Sequence, residues 1–175
     1  MRSLEIVGRR VGDMHTNWRV VDGAALLMRG VLGVVFVAHG AQKLFGWFGG
    51  GGIDGTAGFF GSINIPAPHF FAVIAGLTEF FGGIMIVVGL LTVAAATALI
   101  VDMVLAIATF NHAHGFFVES PNGGWELDFV LIGLLGALAL VGAGAWSIDR
   151  AVGLARAETT TTPAGRQPER SRNVG

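Results

Sequence analysis

The sequence predicts an all-α membrane protein, a bundle of four transmembrane helices with both termini on the cytoplasmic side (N-in/C-in). Three observations carry that prediction. Of the 175 residues, 53% are hydrophobic and only 13% charged, against roughly 25% charged in an ordinary soluble chain. From Leu44 to Asp149 there is not one lysine or arginine, and a soluble domain could not tile its surface with such a stretch and stay dispersed. The middle of the chain also divides into four apolar windows, each near the 20 or so residues that a bilayer core requires.

In chain order, residues 1–22 carry Arg2, Glu5, Arg9, Arg10, Asp13, Arg19 and Asp22. They lack the apolar core and small-residue cleavage site of a secretory signal, so they read as a retained cytoplasmic arm. The membrane domain is expected over residues 23–150, with windows at 24–48, 69–90, 92–110 and 127–145. Each is apolar most of the way round, unlike the single stripe of a soluble surface helix. Residues 46–68 form a glycine-rich link closed by Pro66 and Pro68; Gly49–Gly52 reads as flexible, and Gly58-Phe59-Phe60 with Ile63 as interfacial. A sharp turn at 89–92 makes windows two and three a tight hairpin, and residues 112–126 link three to four. Residues 151–175, rich in Thr, Pro and Arg, predict a disordered cytoplasmic tail. Orientation follows the basic residues: Arg9, Arg10 and Arg19 precede the first window, Arg150 and Arg156 follow the last, and the links 46–68 and 112–126 carry none.

Composition also excludes chemistry. With no cysteine, the chain supplies no thiolate nucleophile, thiol–disulfide relay or Cys-ligated metal or iron–sulfur site. Net charge is −1, with no basic patch interleaved with aromatics, so nothing points to nucleic acid. No G-x-G-x-x-G lies between a strand and a helix, which leaves nucleotide binding without support. His39, His112, Glu79, Asp102, Glu126 and Asp128 are able metal ligands by type. Neither HExxH nor the Glu-x-x-His pair of di-iron bundles occurs among them, and no metal is assigned.

Ionisable side chains inside a span are costly and usually turn toward the bundle interior, where they mark function. Window one holds Arg29, His39 and Lys43, window two Glu79 and window three Asp102, while Glu126 and Asp128 open window four. Counting about 1.5 Å per residue from the cytoplasmic edge puts Glu79 and Asp102 near 15 Å and His39 near 22 Å. On the same count Lys43, His112, Glu126 and Asp128 fall at roughly 27–30 Å, the outer rim. The polar groups therefore describe a pocket or path opening outward. Steps of four and three put Arg29, Gly33, Phe36, Gly40 and Lys43 on one helix face; Gly76, Glu79 and Gly83 share another, as do Asp102, Ala106 and Thr109. Glycines beside the charges let helices approach closely. Each residue also has a plainer reading. Lys43 could snorkel to the interface, Arg29 could anchor a helix end, Glu79 could pair with His39 to fix register, and Asp102 could bond Thr97 or Thr109.

These residues resemble the DoxX family of bacterial membrane proteins. The likeness runs through Arg29-Gly30, Phe36-x-x-His39-Gly40-x-Gln42-Lys43-Leu44-Phe45-Gly46, Gly58-Phe59-Phe60 and Pro66. It continues through Gly76-x-x-Glu79-x-x-Gly82-Gly83, Gly89-Leu90-x-Thr92, His112-x-x-Gly115-Phe116-Phe117, Glu126 and Ser147-Ile148-Asp149, covering about residues 24–153. Val93 stands where relatives often carry a basic residue, and Trp125-Glu126-Leu127 replaces a Glu-Tyr pairing in a chain with no tyrosine. The resemblance implies a multi-pass four-helix protein of the bacterial cytoplasmic (inner) membrane, of a family named for a subunit associated with thiosulfate:quinone oxidoreductase. It also brings Gln42 into the candidate set.

The leading expectation is a redox-associated subunit whose pocket binds a quinone or similar small molecule. Glu79 and His39 are the candidate catalytic residues; His39, Gln42, Lys43 and Glu126 are the candidates for holding the cofactor, within an apolar sleeve of Phe36, Phe80 and Trp47. A quinone head needs donors to its carbonyls and an exchangeable proton, which His39, Lys43 and Glu79 supply. Electrons would come from a protein partner. The alternatives are a non-catalytic scaffold recruiting partners through the basic arm and tail, or a small-solute transporter with Glu79 and Asp102 as proton relays, which would require a homo-oligomer.

Overall fold

The computed structural model of the chain describes residues 2–117, 119 and 123–153, and every regular element among them is a helix. The order is α1 (Arg2–Phe45), α2 (Gly52–Ser62), α3 (Pro68–Val88), α4 (Thr92–Thr109), α5 (Glu126–Val141) and α6 (Ile148–Ala151), with short 3-10 turns at Trp47–Gly49 and Asn111–His114. The tail expected to be disordered lies, from residue 154 onward, outside the described residues.

Among the described residues three helices are long and apolar enough to cross a bilayer: α1 from Trp18 to Phe45 (28 residues), α3 (21 residues) and α4 (18 residues). Helix α5, with 16 residues, spans about 24 Å, short of a hydrocarbon core of about 30 Å. The backbone of the N-terminal arm continues α1 as one helix from Arg2. Its far end falls earlier than expected, at Phe45 rather than Phe48, because Gly46 turns into the left-handed region at φ 72°.

Helix α1 packs most extensively on α3, and glycine makes that approach possible. A Cβ on Gly40 would lie 2.4 Å from the Phe80 backbone nitrogen, and one on Gly83 would lie 2.7 Å from that of Val37. Gly33 and Gly76 sit in the same seam, against Val87 and Leu44. The predicted helix faces are borne out, since Arg29, Gly33, Phe36 and Gly40 are buried on one helix and Gly76, Glu79 and Gly83 on the other. Leu32, Phe36, Ile86, Leu99, Leu135 and Leu138 form the core between α1, α3, α4 and α5. Their outward neighbours are also apolar: Leu27, Val34, Phe81, Val101, Leu105 and Leu140 are exposed, Leu140 at 91%. Lipid is the solvent such a surface fits.

One end of the bundle is tied by polar contacts. Helix α3 ends in a Schellman motif, with Gly89 (φ 67°) donating to Ile86 O at 3.2 Å and Leu90 to Met85 O at 2.9 Å. Arg29, expected as a helix-end anchor, is instead 2% exposed. Its guanidinium donates to the carbonyls of Ile86 (3.0 Å), Val87 (2.7 Å), Ala143 (2.9 Å) and Trp146 (2.7 Å). It thereby satisfies carbonyls at the end of α3 and in the turn that follows α5. The Asp149 carboxylate accepts from the Leu91 and Thr92 N–H groups at 2.6 and 2.9 Å, capping α4 from a distant part of the chain and holding Leu91 at φ 46°.

Residues 46–68, the glycine-rich link whose run Gly49–Gly52 reads as flexible, also hold a helix. Eleven of them form α2, which packs on α3 and α1. Apolar residues at 53, 57 and 60, spaced by four and three, turn one face inward, with Ala57 fully buried.

Candidate functional site

Lys43 sits one turn beyond His39 near the end of α1, and Glu79 lies mid-way along α3. The glycine seam brings the two helices close enough for their side chains to meet. The Lys43 ammonium donates to Glu79 Oε2 at 2.5 Å. The Glu79 side chain is 4% exposed and that of Lys43 26%, so the pair lies inside the bundle with its cationic end toward the opening. Lys43 is therefore no snorkelling lysine, and Glu79 takes Lys43 rather than His39 as its ion-pair partner.

Asp102, on α4, lines the same cavity as Glu79. The expected threonine partners are engaged within their own helix: the Thr97 hydroxyl donates to Val93 O at 2.8 Å and that of Thr109 to Leu105 O at 2.7 Å. The shared mid-depth inferred for Glu79 and Asp102 puts both on the wall of one cavity.

Beside this group lies a cavity of ≈ 650 Å³. Every major helix contributes to its wall: Phe36, His39 and Lys43 from α1, Phe59 and Phe60 from α2, Glu79 from α3, Asp102, Ala106 and Thr109 from α4, and Asp128 from α5. At one end the Phe59 ring meets Phe110 edge-on, centroids 4.7 Å apart, joining α2 to the end of α4. A mostly apolar wall with a few converging polar groups, at this size, is the usual form of a small-molecule site.

The sequence-derived residues divide around this cavity. His39, Lys43, Glu79 and Phe36 line it, with His39 exposed at its margin. Gln42 does not; its amide donates to Phe48 O at 3.3 Å and steadies the turn after α1. Glu126 opens α5 outside the lining, with its backbone N–H on Phe116 O at 2.9 Å. Phe80 and Trp47 pack on Phe45 instead of forming the sleeve, at centroid distances of 5.3 and 5.1 Å. The His112 side chain lies outside the described residues. The aromatic wall from α2 was missed, and the spacing of Ile53, Ala57 and Phe60 was the signal that could have found it. Among the described residues no group of three His, Asp or Glu stands together as a metal site.

Comparison with known proteins adds kinship. The sequence model of the family described as DoxX matches residues 24–112. The chain is similar to "Putative oxidoreductase CatD" of Bacillus subtilis, 31% identical over 71% of this chain and 83% of that one. It is 34% identical to "Uncharacterized membrane protein Rv3486" of Mycobacterium tuberculosis, over 73% of this chain and 80% of the relative. With "Inner membrane protein YphA" of Escherichia coli the identity is 29%, over 71% and 87%. No solved structure matches.

Proposed function

Because this chain belongs to the DoxX family of membrane proteins, we propose that it is a redox-associated subunit whose cavity binds a quinone or a similar small apolar molecule for a partner protein. The observation that carries this reading is the convergence of Lys43, Glu79 and Asp102 from three helices on one mostly apolar cavity of ≈ 650 Å³. Lys43 and His39 are the donors suited to quinone carbonyls, and Phe36, Phe59 and Phe60 offer the apolar sleeve. When bound, a quinone takes up electrons and protons together. The residues here hold a proton near the ring, orient it and exclude water, while electrons come from the partner, since the chain has no cysteine for a thiol or iron–sulfur relay. A relative named for oxidoreductase chemistry favours this reading over a scaffold or a transporter.

The proposal includes four membrane crossings with both termini in the cytoplasm of a bacterial inner membrane. Helix α5 runs beside α4 from Asp128, level with Asp102 at the cavity, to the turn whose Ala143 and Trp146 carbonyls Arg29 holds. It therefore covers the depth of α4 with fewer residues. Arg19 and Arg150 flank the Arg29 end, and no lysine or arginine lies in the links near the cavity end.

The test is binding of a short-tailed ubiquinone analogue to the protein in lipid nanodiscs. Saturable binding is expected, weakened at least about tenfold in H39A and in E79Q, the value of one charged hydrogen bond. Absence of saturable binding, or equal binding by both variants, refutes the quinone reading.

A further inference from the structure

The cavity is framed unevenly. Toward the turn at Gly89, α3 and α4 touch directly: a Cβ on Gly82 would lie 3.2 Å from the Leu99 side chain. At the other end Phe59 of α2 meets Phe110 of α4 edge-on, and Phe60, Ile63, Ile65 and Pro66 extend this apolar cover over the cavity. Between these two closures the walls are Phe71 and Ile74 on α3 and Leu105 on α4. All three line the cavity, yet they are 42, 46 and 55% exposed. Each therefore has the cavity on one side and the outer surface of the bundle on another. Leu77 and Val101, about one turn further along the same two helices, are exposed as well and continue an apolar surface that suits lipid. The charges lie behind this rim. Glu79, with Lys43 on it, is five residues further along α3 than Ile74, about 7.5 Å.

Resting on the ligand-binding reading of this cavity, we infer that its mouth is the gap between the first half of α3 and the second half of α4 and opens sideways into the bilayer. The ligand is then a chain-bearing amphiphile. Its polar head reaches Lys43, and its hydrocarbon chain leaves past Ile74 and Leu105 into lipid. A molecule arriving from water meets the apolar cover of α2 first, whereas one dissolved in the membrane meets a rim of its own polarity with a donor behind it. Size agrees with this division. A cavity of ≈ 650 Å³ suits a drug-sized body, so it takes the head and the start of a chain while the rest stays among lipid tails. Helix α2, joined to α4 through Phe59 and Phe110, is the roof of the site and not its door.

Because the chain has no cysteine, one fluorophore can be placed on the cavity wall and read in lipid nanodiscs without any ligand. Bimane on A106C should be quenched by a phosphatidylcholine whose acyl chain carries a nitroxide, and hardly by aqueous iodide. Filling the mouth with I74W/L105W should remove most of the lipid quenching. Iodide quenching equal to that of bimane on D54C, at an exposed position of α2, overturns the inference, as does lipid quenching indifferent to I74W/L105W. The second arm compares a decyl ubiquinone analogue with its tailless head, 2,3-dimethoxy-5-methylbenzoquinone. I74W/L105W should weaken the decyl compound at least about tenfold, the effect of overfilling a packed site. Binding of the tailless head should stay within about twofold of wild type, which also shows that the variant folds. Where wild type binds both compounds, equal losses for the two, or no loss for the decyl analogue, overturn the inference. Lipid quenching at position 106 that I74W/L105W removes, in a protein that binds neither compound, supports the lateral mouth while sinking the quinone reading.

Discussion

Replacing Lys43 with methionine removes the ammonium, keeps most of the chain's volume and leaves Glu79, 4% exposed, without its counter-ion. Stranding a buried charge in this way costs about 3–5 kcal/mol. The quarter exposure of Lys43 lets water reach the site, so K43M is expected at the low end, about 3 kcal/mol. The reverse change is cheaper. In E79L the lysine can swing its ammonium toward the opening or onto Asp102, and the expected loss is about 1–2 kcal/mol. Replacing both residues removes both charges, and K43M/E79L should lie within about 1 kcal/mol of wild type. The resulting coupling energy is at least about 3 kcal/mol, at or above the top of the range for contacting residues. The assay is reversible unfolding in detergent micelles followed by helix signal. Additive single effects, with coupling below about 0.5 kcal/mol, or a K43M cost no larger than that of E79L, would refute the buried ion pair as the organiser of the site.

Other perturbations probe the frame that carries it. D149A removes the charged acceptor from the Leu91 and Thr92 N–H groups and is expected to cost about 2–4 kcal/mol, with D149N about half of that, measured as thermal stability in micelles. R29M opens four carbonyl contacts at once, and a loss of at least about 3 kcal/mol is expected, little of it restored by R29K because an ammonium cannot reproduce the planar fork. G40A drives a methyl into the Phe80 backbone and should cost about 1–3 kcal/mol or more by parting α1 from α3. G133A, with open space around it, should be neutral or stabilising by about 0.5–1 kcal/mol; equal effects of the two glycine variants would contradict the seam. Ala67 holds φ 47°, and A67G should raise stability by about 1 kcal/mol on the same unfolding curve.

Much of this protein was legible in its residues. Lipid places a demand on every side chain along a span, so the absence of Lys and Arg between Leu44 and Asp149 marked the membrane region, and the turn at Gly89 marked its hairpin. Helical spacing is equally local: it put Gly33, Phe36, Gly40 and Lys43 on one face and Gly76, Glu79 and Gly83 on another. Depth counting brought Glu79 and Asp102 to a common level. The partners were a different matter. That Glu79 takes Lys43 and not His39, that Gln42 turns to Phe48, and that Asp149 caps α4 from a distant part of the chain all depend on the rotation and tilt of neighbouring helices. No local pattern encodes that rotation. The glycine run hid α2 because low intrinsic propensity was outweighed by burial of Ala57 and the contact of its aromatic face with the bundle. Sequence thus determined which residues lipid would force inward. Close packing through the glycine seam decided which of them met, because side-chain contact is settled over a few ångströms between helices that the chain joins only at a distance.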